Sequence, residues 1–348
     1  MGDHAGDTTA GARLRAFRHS PFFPATVLLL ILACAAGLFA GSYTYAMANP
    51  TPHRIPIAVT GVPPSEATHD RFVQGMEHAL HAELRLRHYA TYAAARDAVA
   101  EQRVYAVLRS RPGSAGLDVS GASGATVAQL LAETAPRVGQ AIGTPVAVRD
   151  INPMQSGDPR GLALFYISLA AVIVGFVGAI QLGVHARELE PGERIAFTAG
   201  YALLGGFTIA AVVDWGLGAL HLPFVESWLI LALTMFTSGM VFTAFNTLVG
   251  RWAILPTWGV MVLLGNPSSG GAVSWPLLPS LLGSVGRWLP PGASVNAQHT
   301  AVYFRGHQHA FPFVVLAVWA GVSAVVFWSW RHRHPGGREK QQAAVPGA

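Results

Sequence analysis

His78, His81 and His88 share one short stretch. The first two stand a helical turn apart, a spacing at which two imidazoles can hold a metal ion together. A structural metal site takes about four ligands, and neither a cysteine nor a second ligand pair accompanies them. They read as solvated residues on a polar helix face. His307 and His309 read the same way, so no metal centre and no cofactor is expected. Lys340 is the only lysine, so the G-x-x-x-x-G-K-[ST] loop that cradles nucleotide phosphates cannot be built. H-E-x-x-H, G-x-S-x-G and cysteine-rich spacings are also missing. Cys34 is the sole cysteine, so no disulfide can close within the chain. With no nucleophile and no metal signature, the chain is not read as an enzyme.

Three polar features remain. Asp214 ends a run of about 18 uncharged residues. It stands either at membrane depth, where ionisable groups tend to be functional, or at the interface, where the cost of a charge falls away. The stretch HARELEPGER (185–194) concentrates Arg187, Glu188, Glu190, Glu193 and Arg194, and suits either a docking surface or an ordinary solvated loop. Asn266, Pro267, Ser268, Ser269, Gly270 and Gly271 interrupt an apolar run of about 14 residues, 252–265, which is short of the roughly 20 needed to cross a bilayer. A second apolar run follows, bracketed by Trp275 and Trp288 as interface anchors would bracket it. The spacing suggests a re-entrant turn near 266–292, with Pro290 and Pro291 ending its helix. Irregular backbone at that depth is tolerated only under protein or beside a water-filled cavity.

The elements that must position these residues follow from composition. Of 348 residues, 51% are hydrophobic and 12% charged, about half the charge of a soluble domain, and mean hydropathy is +0.38. Apolar residues gather into six blocks, 25–47, 162–184, 195–217, 224–249, 252–265 and 311–330. The expected fold is a multi-pass α-helical membrane protein with six transmembrane helices. The net charge of +5 and the pI near 9.7 would suit nucleic acid, but Arg13, Arg15, Arg18, Arg187, Arg194, Arg251, Arg331, Arg333, Arg338 and Lys340 flank the blocks. There they set orientation and meet lipid headgroups; no nucleic-acid partner is expected. The first block reads as a retained signal anchor, since its apolar run exceeds the 7–15 residues of a cleaved signal. Arginine counts put both termini in the cytoplasm, with the protein in the cell membrane. Gly175 and Gly178, Gly205 and Gly206, and Gly216 and Gly218 offer flat surfaces for helices of the same chain or for a homodimer.

Tails are expected at 1–24 and 331–348, the first helix at 25–47, an α/β extracytoplasmic domain at 48–161 between helices 1 and 2, and a membrane domain of five helices at 162–330. Within 48–161 the periodicity alternates as β-α-β-α-β-β-α-β. Phe72, Val73, Met76, Leu80 and Leu84 share one helical face. Val127, Leu130, Leu131, Thr134, Val138 and Ile142 share another.

This order of one crossing, an outer α/β domain and five crossings resembles the phage infection protein family and the related nitrosoguanidine-resistance-like membrane proteins. These are similar to type-two ABC exporter permeases. The matching pieces are DPRGLALFYISLAAVIVG (158–175), LLGNPSSGGAVSWPLLP (263–279) and WLPPGASVNA (288–297). The resemblance implies a permease-like protein exporting lipophilic or cell-envelope compounds, with a cytoplasmic ATPase subunit docking at 185–194 and Arg251. The alternative is a non-transporting anchor or receptor, whose outer domain binds an envelope component, a secretion apparatus or a phage.

Overall fold

The structure, a computed structural model, describes residues 17, 19–20, 22–48, 52–61, 66–111 and 114–334. The outer parts of both expected tails, with Arg13, Arg15, Arg18, Arg338 and Lys340, lie outside them. The chain divides between Tyr45 and Ala46 into two compact units. Helix α1 (Phe22–Met47) makes up most of what is described of the first. It is apolar all round, as a helix in lipid must be.

The second unit begins with a five-stranded sheet of β1 (Ile55–Thr60), β2 (Leu84–His88), β3 (Ala106–Arg111), β4 (Ser114–Val119) and β5 (Val146–Asp150). Helices α2 (Glu66–Leu80), α3 (Tyr92–Ala100) and α4 (Ala125–Ala141) connect them in the series expected from periodicity. Strand order is β2-β1-β3-β4-β5, with β1 parallel to β2 and β3, β4 antiparallel to β3, and β5 parallel to β4. Alternation sends Ile55, Ile57 and Val59 to one face, where Phe72, Val73, Met76 and Leu80 of α2 and Val127, Leu131 and Val138 of α4 cover them. Leu84 reaches this core from β2, because α2 stops at Leu80. Ala58 and Val107 turn to the other face, under Ala95, Ala98 and Val99 of α3.

Helices α5 (Ala163–His185), α6 (Pro191–Ala211), α7 (Phe224–Val249) and α11 (Phe311–Arg333) follow. Asp158 caps α5: its two carboxylate oxygens accept the Leu162 and Ala163 N–H groups at 3.0 and 2.8 Å. Helix α7 is central. A Cβ on Gly175 of α5 would stand 2.6 Å from the Met235 carbonyl oxygen, and one on Gly206 of α6 2.7 Å from the Ala232 nitrogen, so these glycines let three helices close to backbone contact. Gly178 instead receives the Tyr201 ring, whereas Gly216 and Gly218 pack against no neighbouring helix.

Among the described residues, five helices are long and apolar enough to cross a membrane: Phe22–Met47, Ala163–His185, Pro191–Gly216, Phe224–Trp252 and Phe311–Arg333. That is consistent with a membrane protein. The fifth expected block forms only a short apolar helix, Ile254–Leu264, named α8; it starts as an α-helix and widens over Gly259–Leu264.

Candidate functional site

Beyond α8 the chain enters protein rather than solvent. Asn266, Ser268 and Ser269 are 1–2% exposed. The two serine hydroxyls are satisfied by nearby backbone. Ser268 Oγ donates to the Leu264 carbonyl at 2.6 Å, and Ser269 Oγ to that of Asn266 at 2.7 Å. Gly270 adopts φ +80°, a conformation open to glycine and strained for other residues, and the Trp275 indole lies against it. Trp275, expected at an interface, turns inward: its Nε1–H donates to the Ser268 carbonyl at 3.1 Å. Trp288 is exposed.

The segment then becomes part of the α/β core. Val273, Leu277 and Leu278 join the cluster built by the sheet, α2 and α4. Ser274 N–H donates to Thr126 Oγ1 at 3.1 Å, the two hydroxyls lie 2.9 Å apart, and His53 N–H donates to the Pro276 carbonyl at 2.7 Å. Sequence and packing thus weld the sheet to the break in the apolar run.

After a short helix α9 (Ser280–Val285) the chain turns at Gly286–Trp288 and starts α10 (Pro290–Tyr303). The expectation that Pro290 and Pro291 end a helix is half met, for they also begin this one, where a missing N–H costs nothing. Eleven residues of α10 are buried, Ser294, Asn296, Gln298 and Thr300 among them. Thr234 Oγ1 donates to Ser294 Oγ at 2.8 Å, and Gln298 Nε2 to the Ser227 carbonyl at 2.8 Å. Asn296 Oδ1, Gln298 Oε1 and Asn266 Nδ2 have no hydrogen-bond partner within the protein.

Between this helix and the α/β domain lies a cavity of about 400 Å³. Gln102, Tyr105 and Ser123 line it from the domain, Ser269, Gly270 and Trp275 from the break, Arg287 from the turn, Asn296 and His299 from α10, and His309 beyond. Arg287 stacks on Trp275, its guanidinium carbon 4.7 Å from the ring centroid. Burial pushes the Tyr105 hydroxyl up to about 12 against the opposing pull of Arg287. Arg287 is the one permanently charged side chain on a wall of donors and acceptors. Such a wall has the donors and acceptors to hold a polar group.

The other expected residues lie elsewhere. Arg187 and Glu188 are exposed between α5 and α6. Glu190 and Glu193 close a capping box on α6: the Glu193 carboxylate accepts the Glu190 N–H at 3.0 Å, and the Glu190 side chain accepts the Glu193 N–H. Arg194 packs, half-buried, beside Gly183. Asp214 is half-buried in the wide last turn of α6, next to Trp215, which stacks on Phe224 at 4.2 Å. His78 and His81 stack on each other with ring centroids 6.2 Å apart. Among the described residues no three His, Cys, Asp or Glu side chains gather as a metal site would need. Sequence reading missed Tyr105, His299 and Asn296; the signal that existed was the density of hydroxyl and amide residues at 294–300. No protein-family model, curated protein or solved structure matches this chain.

Proposed function

We propose that the chain is a permease-like membrane protein that takes part in exporting lipophilic or cell-envelope compounds, with a separate ATPase supplying energy. The observation that carries this reading is α10, a helix of buried hydroxyl and amide residues that follows a broken apolar run and lines a cavity. Polar groups and irregular backbone at membrane depth are retained where they line a pathway, and discontinuous helices are where transporters place their sites. An anchor has no need of either. In this reading α8 and the break complete a sixth crossing, both termini are cytoplasmic, and the α/β domain stands outside. An apolar groove of about 800 Å³ between α5 and α6, lined by Val177, Leu182, Phe197 and Leu204, offers lipophilic molecules a lateral approach. Arg187 and Glu188, on the loop whose shape the Glu190–Glu193 box maintains, and Arg251, in the turn after α7, are the ATPase-docking candidates; a homodimer and membrane lipids are the other partners.

The test is complementation. Extracts of cells lacking the chain are compared with those restored by wild type, by Asn296→Leu and by the pair Arg187→Glu and Glu188→Arg, all at equal membrane abundance. A lipophilic compound that accumulates without the chain should be cleared by wild type and by neither variant. Full clearance by Asn296→Leu would remove the cavity from transport, and would favour the alternative of a non-transporting surface anchor or receptor.

A further inference from the structure

The α/β domain carries a second constellation, away from the junction. The parallel strands β2, β1 and β3 all end at one edge of the sheet. Helix α2, which leaves β1, packs on one face; helix α3, which leaves the neighbouring β2, packs on the other. In open α/β sheets, ligands bind in the crevice outside the carboxyl ends of the strands where successive connections part in this way. A cavity of about 460 Å³ lies at this edge, lined by Thr60 and Gly61 after β1, Ala90 and Tyr92 after β2, Arg109 of β3 and Arg149 of β5.

Its charges are arranged by one buried carboxylate. Asp118 is wholly buried, and its Oδ1 accepts a hydrogen bond from Arg109 Nη2 at 2.8 Å, while Arg109 Nε stands 2.8 Å from Oδ2 as an ion pair without a hydrogen bond. The Tyr92 hydroxyl donates to Asp118 Oδ2 at 2.6 Å. Arg109 lies flat because its cross-strand partner is Gly116, where a Cβ would stand 2.8 Å from the guanidinium. One of the five Arg109 N–H groups is thereby used in a hydrogen bond to Asp118 and the others remain. Arg149 touches Asp118 only loosely, Nε to Oδ1 at 3.9 Å, and its side chain is 67% exposed. One carboxylate facing two guanidiniums leaves a single positive charge. Helix α3 covers β1 and β3 here, whereas Arg109, Asp118 and Arg149 lie beside the cavity. Arg149 is the exposed cation of the group, Arg109 the one anchored on Asp118, and Thr60, directly opposite Arg109 in register, adds a hydroxyl.

We infer that this crevice binds a small hydroxylated anion, a sugar acid or a sugar or polyol phosphate, with its acidic group between Arg149 and the remaining donors of Arg109. The cavity exceeds what a bare ion needs, and its net positive charge attracts an acidic group. This site is independent of the export reading, which stands or falls on the junction cavity.

Calorimetric titration of the full chain in nanodiscs tests it, with glucuronate, glycerol 1-phosphate and glucose as probes, on wild type, Arg149→Gln and Arg149→Lys. At least one acidic probe should bind and glucose should not. Arg149→Gln should weaken binding about tenfold or more, as loss of a charge-assisted pair does, with Arg149→Lys between the two. Because Arg149 is exposed, an unchanged melting temperature will show that the variants fold. Binding of glucuronate alone assigns a carboxylate, of glycerol 1-phosphate alone a phosphate ester, and of both a reading of charge. Failure of both acidic probes to bind below about 10 mM, equal binding of glucose, or undiminished binding by Arg149→Gln would overturn the inference.

Discussion

Replacing Gly286 with alanine sets a methyl group against backbone that cannot easily move. An ideal Cβ there lies 1.8 Å from the Ser268 carbonyl oxygen and 2.6 Å from its carbon, where ordinary contacts begin at 3.4 Å. Relief requires the turn at 286–288 and the break at 266–271 to separate by more than an ångström. Overpacking of this kind costs about 1–3 kcal/mol. The same carbonyl accepts the Trp275 indole N–H at 3.1 Å, and losing that hydrogen bond adds about 1 kcal/mol. Displacement does not stop there, since the Gly286 carbonyl in turn lies 2.1 Å from the Cβ position of Gly292 in α10. A loss of about 2–4 kcal/mol is expected for Gly286→Ala. Followed by tryptophan fluorescence in detergent, the melting temperature should fall by roughly 4–15 °C. Gly321→Ala in α11 is the control, because no atom outside its own helix backbone comes within 4 Å of its Cβ position. It should gain up to about 1 kcal/mol from reduced chain entropy. If Gly286→Ala melts within about 1 °C of wild type, the two backbones are not in contact and the packing described for 266–292 is wrong.

The double variant Gly270→Val and Gly271→Val should lose several kcal/mol, since residue 270 needs φ +80° and a Cβ at 271 would stand 2.9 Å from the Phe165 ring; a solvated loop would tolerate both, and a melting curve separates the cases. In a Cys34→Ala background, an impermeant thiol reagent on intact cells should label Glu133→Cys in α4 and leave Glu188→Cys unlabelled, and equal labelling would reject the proposed topology.

Much of the fold was legible because burial on one side imposes a period. Helices α2 and α4 carry their apolar residues at helical spacing and the strands alternate, so the β-α-β-α-β-β-α-β series could be read directly. Strand order could not, because a strand's own residues do not say which neighbour it pairs with. The break at 266–271 was visible as polar and small residues inside an apolar stretch. Its packing into the α/β core was not, since Val273, Leu277 and Leu278 look like any apolar loop residues until α2 and α4 cover them. Helix α10 escaped for the opposite reason: its serine, asparagine, glutamine and threonine residues give no apolar period to mark a buried helix, and only the surrounding α5, α7 and α11 bury them. Glu190 and Glu193 carried a legible signal, an acidic pair three residues apart before an apolar run, which favours a helix cap as well as a docking surface.

Hydrogen exchange on the intact protein in lipid nanodiscs, read by mass spectrometry of peptides covering 264–274 and 290–303, tests most directly whether the broken run and α10 form a buried wall of the cavity. Amide protection follows burial and hydrogen bonding of the backbone. Peptides of α10 should exchange as slowly as those of α7, and those of 264–274 far more slowly than the exposed 305–310 segment. Exchange of both regions at the rate of an unstructured peptide, with α7 still protected, would show that they are solvated loops and would contradict a transport site built from them.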